Sequence, residues 1–160
     1  DTLVTVQIDF QLAKLFDMEY TDSDGQKKNP YVIHRTSIGC YERSLALLIE
    51  KYAGALPTWL SPEQVRILPI SEKHLEYAKY VRDKLYSAGV RVEIDDRNEK
   101  TGYKIREAQK EKIPYMLIVG DAEAQSDSVA VRSRKDGDLG VSTIDEFINK
   151  ITEEIRTKAK

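Results

Sequence analysis

From Val65 to the end, the chain alternates between short apolar runs and amphipathic stretches, and few folds satisfy that alternation. Val65 to Ile70 is a strand-length apolar run. Ser71 can cap a helix in which Ala78, Val81, Leu85 and Ala88 share one side, with Gly89 as its left-handed stop. Val90 to Ile94 returns to strand, with Val90, Val92 and Ile94 alternating. A short helix is predicted from Gly102 to Lys112, ended by Pro114. Tyr115 to Val119 is then a fully apolar strand, and Val129 to Arg132 reads as another. Ser142 with Asp145 forms a capping-box pattern ahead of Ile144, Phe147, Ile148, Ile151 and Ile155. Strand, helix, strand, helix, strand and a closing helix predict a small α/β domain with a mixed, largely parallel sheet and flanking helices.

The chain before Pro62 follows other periods. Thr5 to Phe10 alternates, with Val6, Ile8 and Phe10 on one face and Thr5, Gln7 and Asp9 on the other. Asp22-Ser23-Asp24-Gly25 is a turn signal, and Tyr31 to Ile33 reads as the strand returning from it. From Tyr41 the spacing of Leu45, Leu48, Ile49 and Tyr52 predicts a helix with a core-facing stripe, ended by Gly54. Pro57 and Pro62 bracket Thr58-Trp59-Leu60-Ser61, and a domain boundary is expected there, dividing the chain into 1–61 and 62–160.

The 160 residues are 41% hydrophobic and carry a formal charge of -2, enough for a core but without a global basic footprint. An RNA-binding face would have to be a local patch. The single cysteine, Cys40, excludes an internal disulfide and a cysteine-only zinc site, and the simple reading is an intracellular protein. There is no apolar run near 18 residues and no signal-like start, so no membrane is expected. The chain enters on a strand pattern without an initiator methionine, which reads as a segment of a longer protein.

Several residues could carry chemistry, each beside a blander reading. Arg43, behind the Ile38-Gly39 corner, could grip a triphosphate with its forked guanidinium or pair on the surface with Glu42 or Glu50. His34, between Ile33 and Arg35, is a metal ligand or a satisfied core histidine, and one histidine is not a site. His74, on the solvent-leaning start of a helix, has nothing beside it to suggest function. Cations between Arg97 and Lys112 alternate with carboxylates, as on a solvated helix. Against that, Asn98 at a strand end could meet a base edge while Lys100, Lys104 and Arg106 meet phosphates. Arg132-Ser133-Arg134-Lys135 is a second positive cluster.

Two stretches, His34 through Glu50 and Asp95 through Glu107, resemble the last catalytic motif and the anticodon-reading domain of the threonyl-tRNA synthetases. Thr5 to Phe10 looks like the strand preceding that motif, and His34-Arg35 like the strand bearing the third zinc ligand. Gly39 to Glu50 is similar to motif 3 of class II synthetases. Pro57 to Pro62 looks like the hinge, and Val129-Ala130-Val131-Arg132 continues the domain pattern. Related anticodon domains occur in prolyl, glycyl and histidyl enzymes; Arg97-Asn98-Glu99-Lys100 and the histidine before motif 3 favour the threonyl branch. Thr2, Val4 and Cys40 depart from the family, which tends to have glutamine, glycine and serine there.

The resemblance implies a class II anticodon-binding domain at 62–160, preceded at 1–61 by an antiparallel strand and helix remnant of the catalytic domain. It implies a parent threonine–tRNA ligase, a cytoplasmic homodimer using ATP with Mg and a zinc ion. In that parent Arg43 is catalytic and holds ATP, Thr5 and Cys40 lie on the nucleotide side, Gln7 with Thr5 lines the threonine pocket, and His34 ligates zinc. Asn98, Glu123, Arg132 and Lys100 match anticodon-reading positions, with Lys104 and Arg106 on RNA phosphates; Asn98, Glu123 and Arg132 are expected to converge at one sheet end. With motifs 1 and 2 and two zinc ligands outside the chain, the segment alone is expected to be inactive, monomeric and without a tightly held cofactor. A non-catalytic RNA- or protein-binding accessory module, or a small α/β ligand-binding domain, stays open as an alternative.

Overall fold

A computed structural model describes residues 4–159, so the departure at Thr2 lies outside the described residues. The chain divides into two compact units, Asp1–Lys51 and Tyr52–Lys160.

In the first unit, β1 (Thr5–Asp9) and β4 (Val32–Thr36) pair antiparallel, Thr5 opposite Thr36 and Gln7 opposite His34. Between them come the single helical turn α1 (Leu12–Leu15) and a small ribbon of β2 (Tyr20–Thr21) and β3 (Lys27–Lys28). The ribbon closes on the expected turn, where Gly25 takes φ +77°. Helix α2 (Tyr41–Tyr52) starts after Gly39 at φ +74° and stops before Gly54 at φ +79°. Its expected core stripe is not buried: Leu45 is 53% exposed, Ile49 is 50% exposed, and α2 has no buried residue. Helical spacing defines a face but does not supply the layer that covers it.

The second unit is a five-stranded sheet of order β6-β5-β7-β8-β9. Strands β5 (Val65–Pro69), β6 (Val92–Ile94) and β7 (Tyr115–Val119) are mutually parallel through β5. Two antiparallel strands, β8 (Ser128–Ser133) and β9 (Gly137–Thr143), extend that parallel half. Helices α3 (Leu75–Ser87) and α6 (Ile144–Thr157) cover one face, burying Ala78, Val81, Leu85, Ile144, Phe147 and Ile151 against Ile67, Leu117 and Val129. Each of these side chains larger than alanine contributes about 1.5–3 kcal/mol by leaving water. Helix α4 (Thr101–Lys110) covers Leu68 and Met116 on the other face with Ala108 and Ile113.

Element ends differ from the sequence reading in instructive ways. Ser71 opens a 3-10 turn ahead of α3 rather than α3 itself, its N–H donating to His74 Nδ1 at 3.2 Å. The cap of α6 is Thr143 with Glu146, one residue beyond the expected Ser142 and Asp145; Thr143 Oγ1 accepts from Glu146 N at 3.2 Å. Helix α4 ends at Lys110, before Pro114, because Lys112 turns left-handed at φ +61° and Ile113 N donates back to Ala108 O. The six-residue α5 (Asp121–Ser126) and strand β9 had no clear sequence signal, being short and polar or rich in glycine.

Residues 52–61 pack on the second unit. Gln64, fully buried, donates to Thr58 O at 2.9 Å, and Arg91 donates to the carbonyls of Trp59 and Ser61. Thr58 Oγ1 and Tyr115 Oη both donate to the Glu154 carboxylate.

Candidate nucleic-acid interface

In the first unit the pairing of Gln7 with His34 and of Thr5 with Thr36 sets Thr5, Gln7, Asp9 and His34 on one face of the hairpin. Thr5 Oγ1 lies 2.9 Å from Thr36 Oγ1, and Gln7 is exposed. His34 is half-exposed rather than a core histidine; its Nε2 is 3.8 Å from Asp9 Oδ2. Tight zinc binding needs at least three protein donors, and among the described residues no group of three or more histidine, cysteine or acidic side chains is placed to hold a metal ion. His34 with Asp9 does not by itself make a zinc site. Cys40 is an exposed free thiol whose carbonyl accepts from Ser44 N, and Arg43 sits in the exposed first turn of α2.

In the second unit the carboxyl ends of β5, β6 and β7 open into three loops along one edge, the usual place for ligands in open α/β sheets. The loop after β6 is pinned at its root. Asp95, 7% exposed, takes both Arg97 nitrogens, Nε at 2.8 Å and Nη2 at 2.6 Å, and the guanidinium holds the Asp95 carboxyl below its usual pKa. Arg97 also lies 5.9 Å from the Tyr103 ring. Glu99 N then donates to Arg97 O at 2.8 Å, leaving exposed Asn98 at the apex of a tight turn. Lys100, at the cap of α4, and Arg106 are exposed as well.

Lys104 corrects the sequence reading. It is 3% exposed, and its Nζ donates to Pro69 O at 3.1 Å and Asp95 O at 2.9 Å. It bolts the end of β5 to the end of β6 and is not a phosphate contact. Alternation of cations and carboxylates suggested a solvated helix, but Lys104 falls on the sheet-facing side with Ala108.

After β7, Glu123 sits in the first turn of α5 and accepts from Gly120 N at 2.9 Å. Beside it His74, expected at the surface, is 5% exposed. Its Nδ1 accepts from Ser71 N at 3.2 Å and its Nε2 lies 3.1 Å from Asp121 Oδ1. Lys73 reaches the other Asp121 oxygen at 2.6 Å; Lys73 first, then His74, lower the Asp121 pKa. The loop after β5 is thus tied to the loop after β7. No sequence signal joined His74 to Asp121, because the pair forms only across the sheet edge.

Arg132 is placed differently. It pairs with Met116, near the start of β7, so its backbone lies away from the edge that carries Asn98 and Glu123. It shares Met116's face, where neighbouring Val141 is 64% exposed, and its Nε is shut off from solvent with no hydrogen-bond partner among the described residues. Asn98 and Glu123 both follow carboxyl ends of parallel strands, whereas Arg132 stands on the sheet face. Arg134 is structural: it donates to Lys112 O, Ala55 O and Leu56 O, and desolvation lowers its pKa.

Residues 64–154 match the anticodon binding domain family, more than half of the chain. The chain belongs to that family. The sequence is 59% identical over its whole length to a threonine–tRNA ligase of Clostridium botulinum (strain Eklund 17B / Type B), covering 25% of that protein. It is 58% identical, over 97% of its length, to a threonine–tRNA ligase of Caldanaerobacter subterraneus subsp. tengcongensis, covering 24% of that protein. The chain therefore spans about a quarter of the curated relatives it matches. Among solved structures, the RNA binding domain of threonyl-tRNA synthetase from Cryptosporidium parvum Iowa II superposes with a TM-score of 0.70 at 38% identity, over 94% of this chain and 38% of that one. Prolyl-tRNA synthetase from the same genus and species, complexed with halofuginone and AMPPNP, gives 0.74 at 29% identity, over 98% of this chain and 34% of that one.

Within this anticodon-binding domain the matched residues take in β5 through most of α6, so Asn98, Glu123, Arg132, Lys100, Lys104 and Arg106 all fall inside the family match. Thr5, Gln7, His34, Cys40 and Arg43 fall before it.

Proposed function

We propose that the chain is the tRNA-reading part of a longer threonine–tRNA ligase and that it binds the anticodon loop of threonine tRNA. One observation carries this reading: Asn98, on the loop after β6, and Glu123, in the first turn of α5 after β7, stand at the same carboxyl edge of the sheet, each on a turn fixed by its own hydrogen bonds. Anticodon bases are unstacked and can be read on their edges by such groups. Asn98, Glu123, Lys100 and Arg132 contact bases, Arg132 reaching in along the open sheet face, and exposed Arg106 meets the phosphate backbone. Lys104 leaves the list of RNA contacts because its ammonium is buried.

In the complete ligase, residues 1–61 belong to the catalytic domain. Arg43 faces ATP and Thr5 and Cys40 its nucleotide side. Gln7 with Thr5 lines the threonine pocket, and His34 joins two donors from elsewhere in the protein to hold zinc. Zinc there would select threonine by coordinating its amino group and hydroxyl, which valine cannot match. The exposed apolar residues of β1, β4 and α2 suit a unit meant to be covered by more of the same domain. The parent is a cytoplasmic homodimer. The chain alone should give no threonine-dependent pyrophosphate exchange above an Arg43→Ala control.

The test is titration of threonine anticodon stem-loops over a range of salt. Threonine anticodons share G and U at their last two positions, so changing either base should weaken binding. Asn98→Ala and Arg132→Ala should each cost about 1–3 kcal/mol and relax discrimination. Arg106→Ala should weaken all RNAs alike and flatten the salt dependence. Equal binding to stem-loops altered at both bases would overturn the reading.

A further inference from the structure

We infer that Ile70 is an apolar shelf on which one unstacked base of the bound loop rests, between Asn98 and Glu123; the inference builds on the anticodon reading above. Ile70 follows a strand whose Val65, Ile67 and Leu68 are fully buried, yet it is 50% exposed. Its N–H donates to Val119 O at 3.0 Å, which fixes it at the ends of β5 and β7 together. A single exposed isoleucine on a surface needs no explanation. Its neighbours are what make this one informative.

On one side Ile70 lines a shallow cleft with Arg97 and Asn98, floored by Pro69 and Lys104. On the other side lies Gly120, in extended backbone at φ -137°, a conformation any residue can adopt. A Cβ there would stand 2.6 Å from Ile70 Cδ1 and 3.1 Å from Glu123 Oε2. A side chain at this position would push the tip of Ile70 aside, and its absence lets the isoleucine and the carboxylate close on one point. Ile70 therefore touches the surroundings of both proposed base readers, which follow different strands.

The chemistry of the rim says what part of an RNA fits. Glu72, Asp96, Glu99, Asp121 and Glu123 outnumber Lys73, Arg97 and Lys100 on the three loops of this edge, and Lys73 and Arg97 are already paired with Asp121 and Asp95, which leaves little to hold a phosphate beside Ile70. A nucleobase has the complementary character: an apolar face for Ile70 and polar edges for an amide on one side and a carboxylate on the other.

A double-mutant cycle on the whole chain tests this, using a threonine anticodon stem-loop and versions with an abasic nucleotide at each loop position. Ile70→Ala should bind the intact stem-loop about three- to tenfold more weakly with an unchanged thermal melt, while Ile70→Leu should bind nearly as wild type does. Gly120→Ala should also weaken binding, by displacing Ile70. The decisive result is that the Ile70→Ala loss disappears on one abasic RNA and persists on the others. An Ile70→Ala chain that binds as wild type does, or a loss equal on every abasic RNA, overturns the shelf while leaving the anticodon reading intact. A wild-type chain that ignores the stem-loop overturns both.

Discussion

Both compact units carry apolar side chains in regular alternation, yet only one of them buries these residues. Val6, Ile8 and Ile33 in β1 and β4 are 65%, 56% and 66% exposed, whereas Ile67 and Leu117 in β5 and β7 are fully buried. The strand pattern is equally clear in both places. The difference is the second layer: β5 and β7 lie between α3 and α6 on one face and α4 on the other, while the β1–β4 hairpin is two-stranded. A two-stranded hairpin is marginal in water because it has too few neighbours to remove its apolar face from solvent. Alternation therefore specifies which face seeks cover, and only the remaining chain decides whether cover exists.

The largest effect expected of that difference appears on cutting the chain at the junction. Residues 52–160 should melt cooperatively with native circular dichroism, and a peptide of residues 1–51 should show no transition and unprotected amides in hydrogen exchange. A cooperative melt of the short piece would break the contrast at its root.

Next in size come core truncations. Phe147→Ala should cost about 3–5 kcal/mol by denaturant unfolding, and Ile8→Ala should change stability by less than about 0.5 kcal/mol. Comparable losses would mean that β1 is covered in solution.

Lys104→Met should destabilise by about 1–3 kcal/mol, since Pro69 O and Asp95 O lose a buried donor. It should also weaken stem-loop binding through the freed Asn98 loop, whereas exposed Lys100→Ala should leave stability unchanged. A neutral Lys104→Met variant would return this side chain to the solvated face that its sequence context suggested.

The smallest effect concerns pH. Arg97 lowers the Asp95 pKa in the fold, so the carboxylate's contribution is complete above its unfolded value near 3.9. It is lost as pH falls through the lower folded value. Between wild type and Asp95→Asn the stability gap should be constant at neutral pH and narrow only below about pH 4. A gap that narrows at higher pH would contradict the pairing of Asp95 with Arg97.

The sheet was legible in sequence wherever a strand is buried on both faces or a helix has a cap and a stop. Val65–Pro69, Tyr115–Val119 and the Ser71 to Gly89 helix were readable for that reason. Strand β9 was not, because Gly137-Asp138-Leu139-Gly140 has no apolar alternation and is set in place by its pairing with β8. Of the candidate readers, Asn98 was legible from its place at a strand end and Glu123 only from resemblance, and no periodicity or spacing would have joined two residues that follow different strands.

By itself, the sequence determined the strands and helices of the second unit other than α5 and β9, the turns at Gly25, Gly54 and Gly89, and the family. These are local or cumulative properties, set by side-chain period, by φ preference and by residue identity along the chain. Tertiary structure alone decided that Lys104 is a bolt, that His74 is buried against Asp121, that Arg132 stands on the open face and that Gly120 makes room for Ile70. Each of those depends on which loops the sheet order brings together, and pairing between distant strands is not written in any one segment.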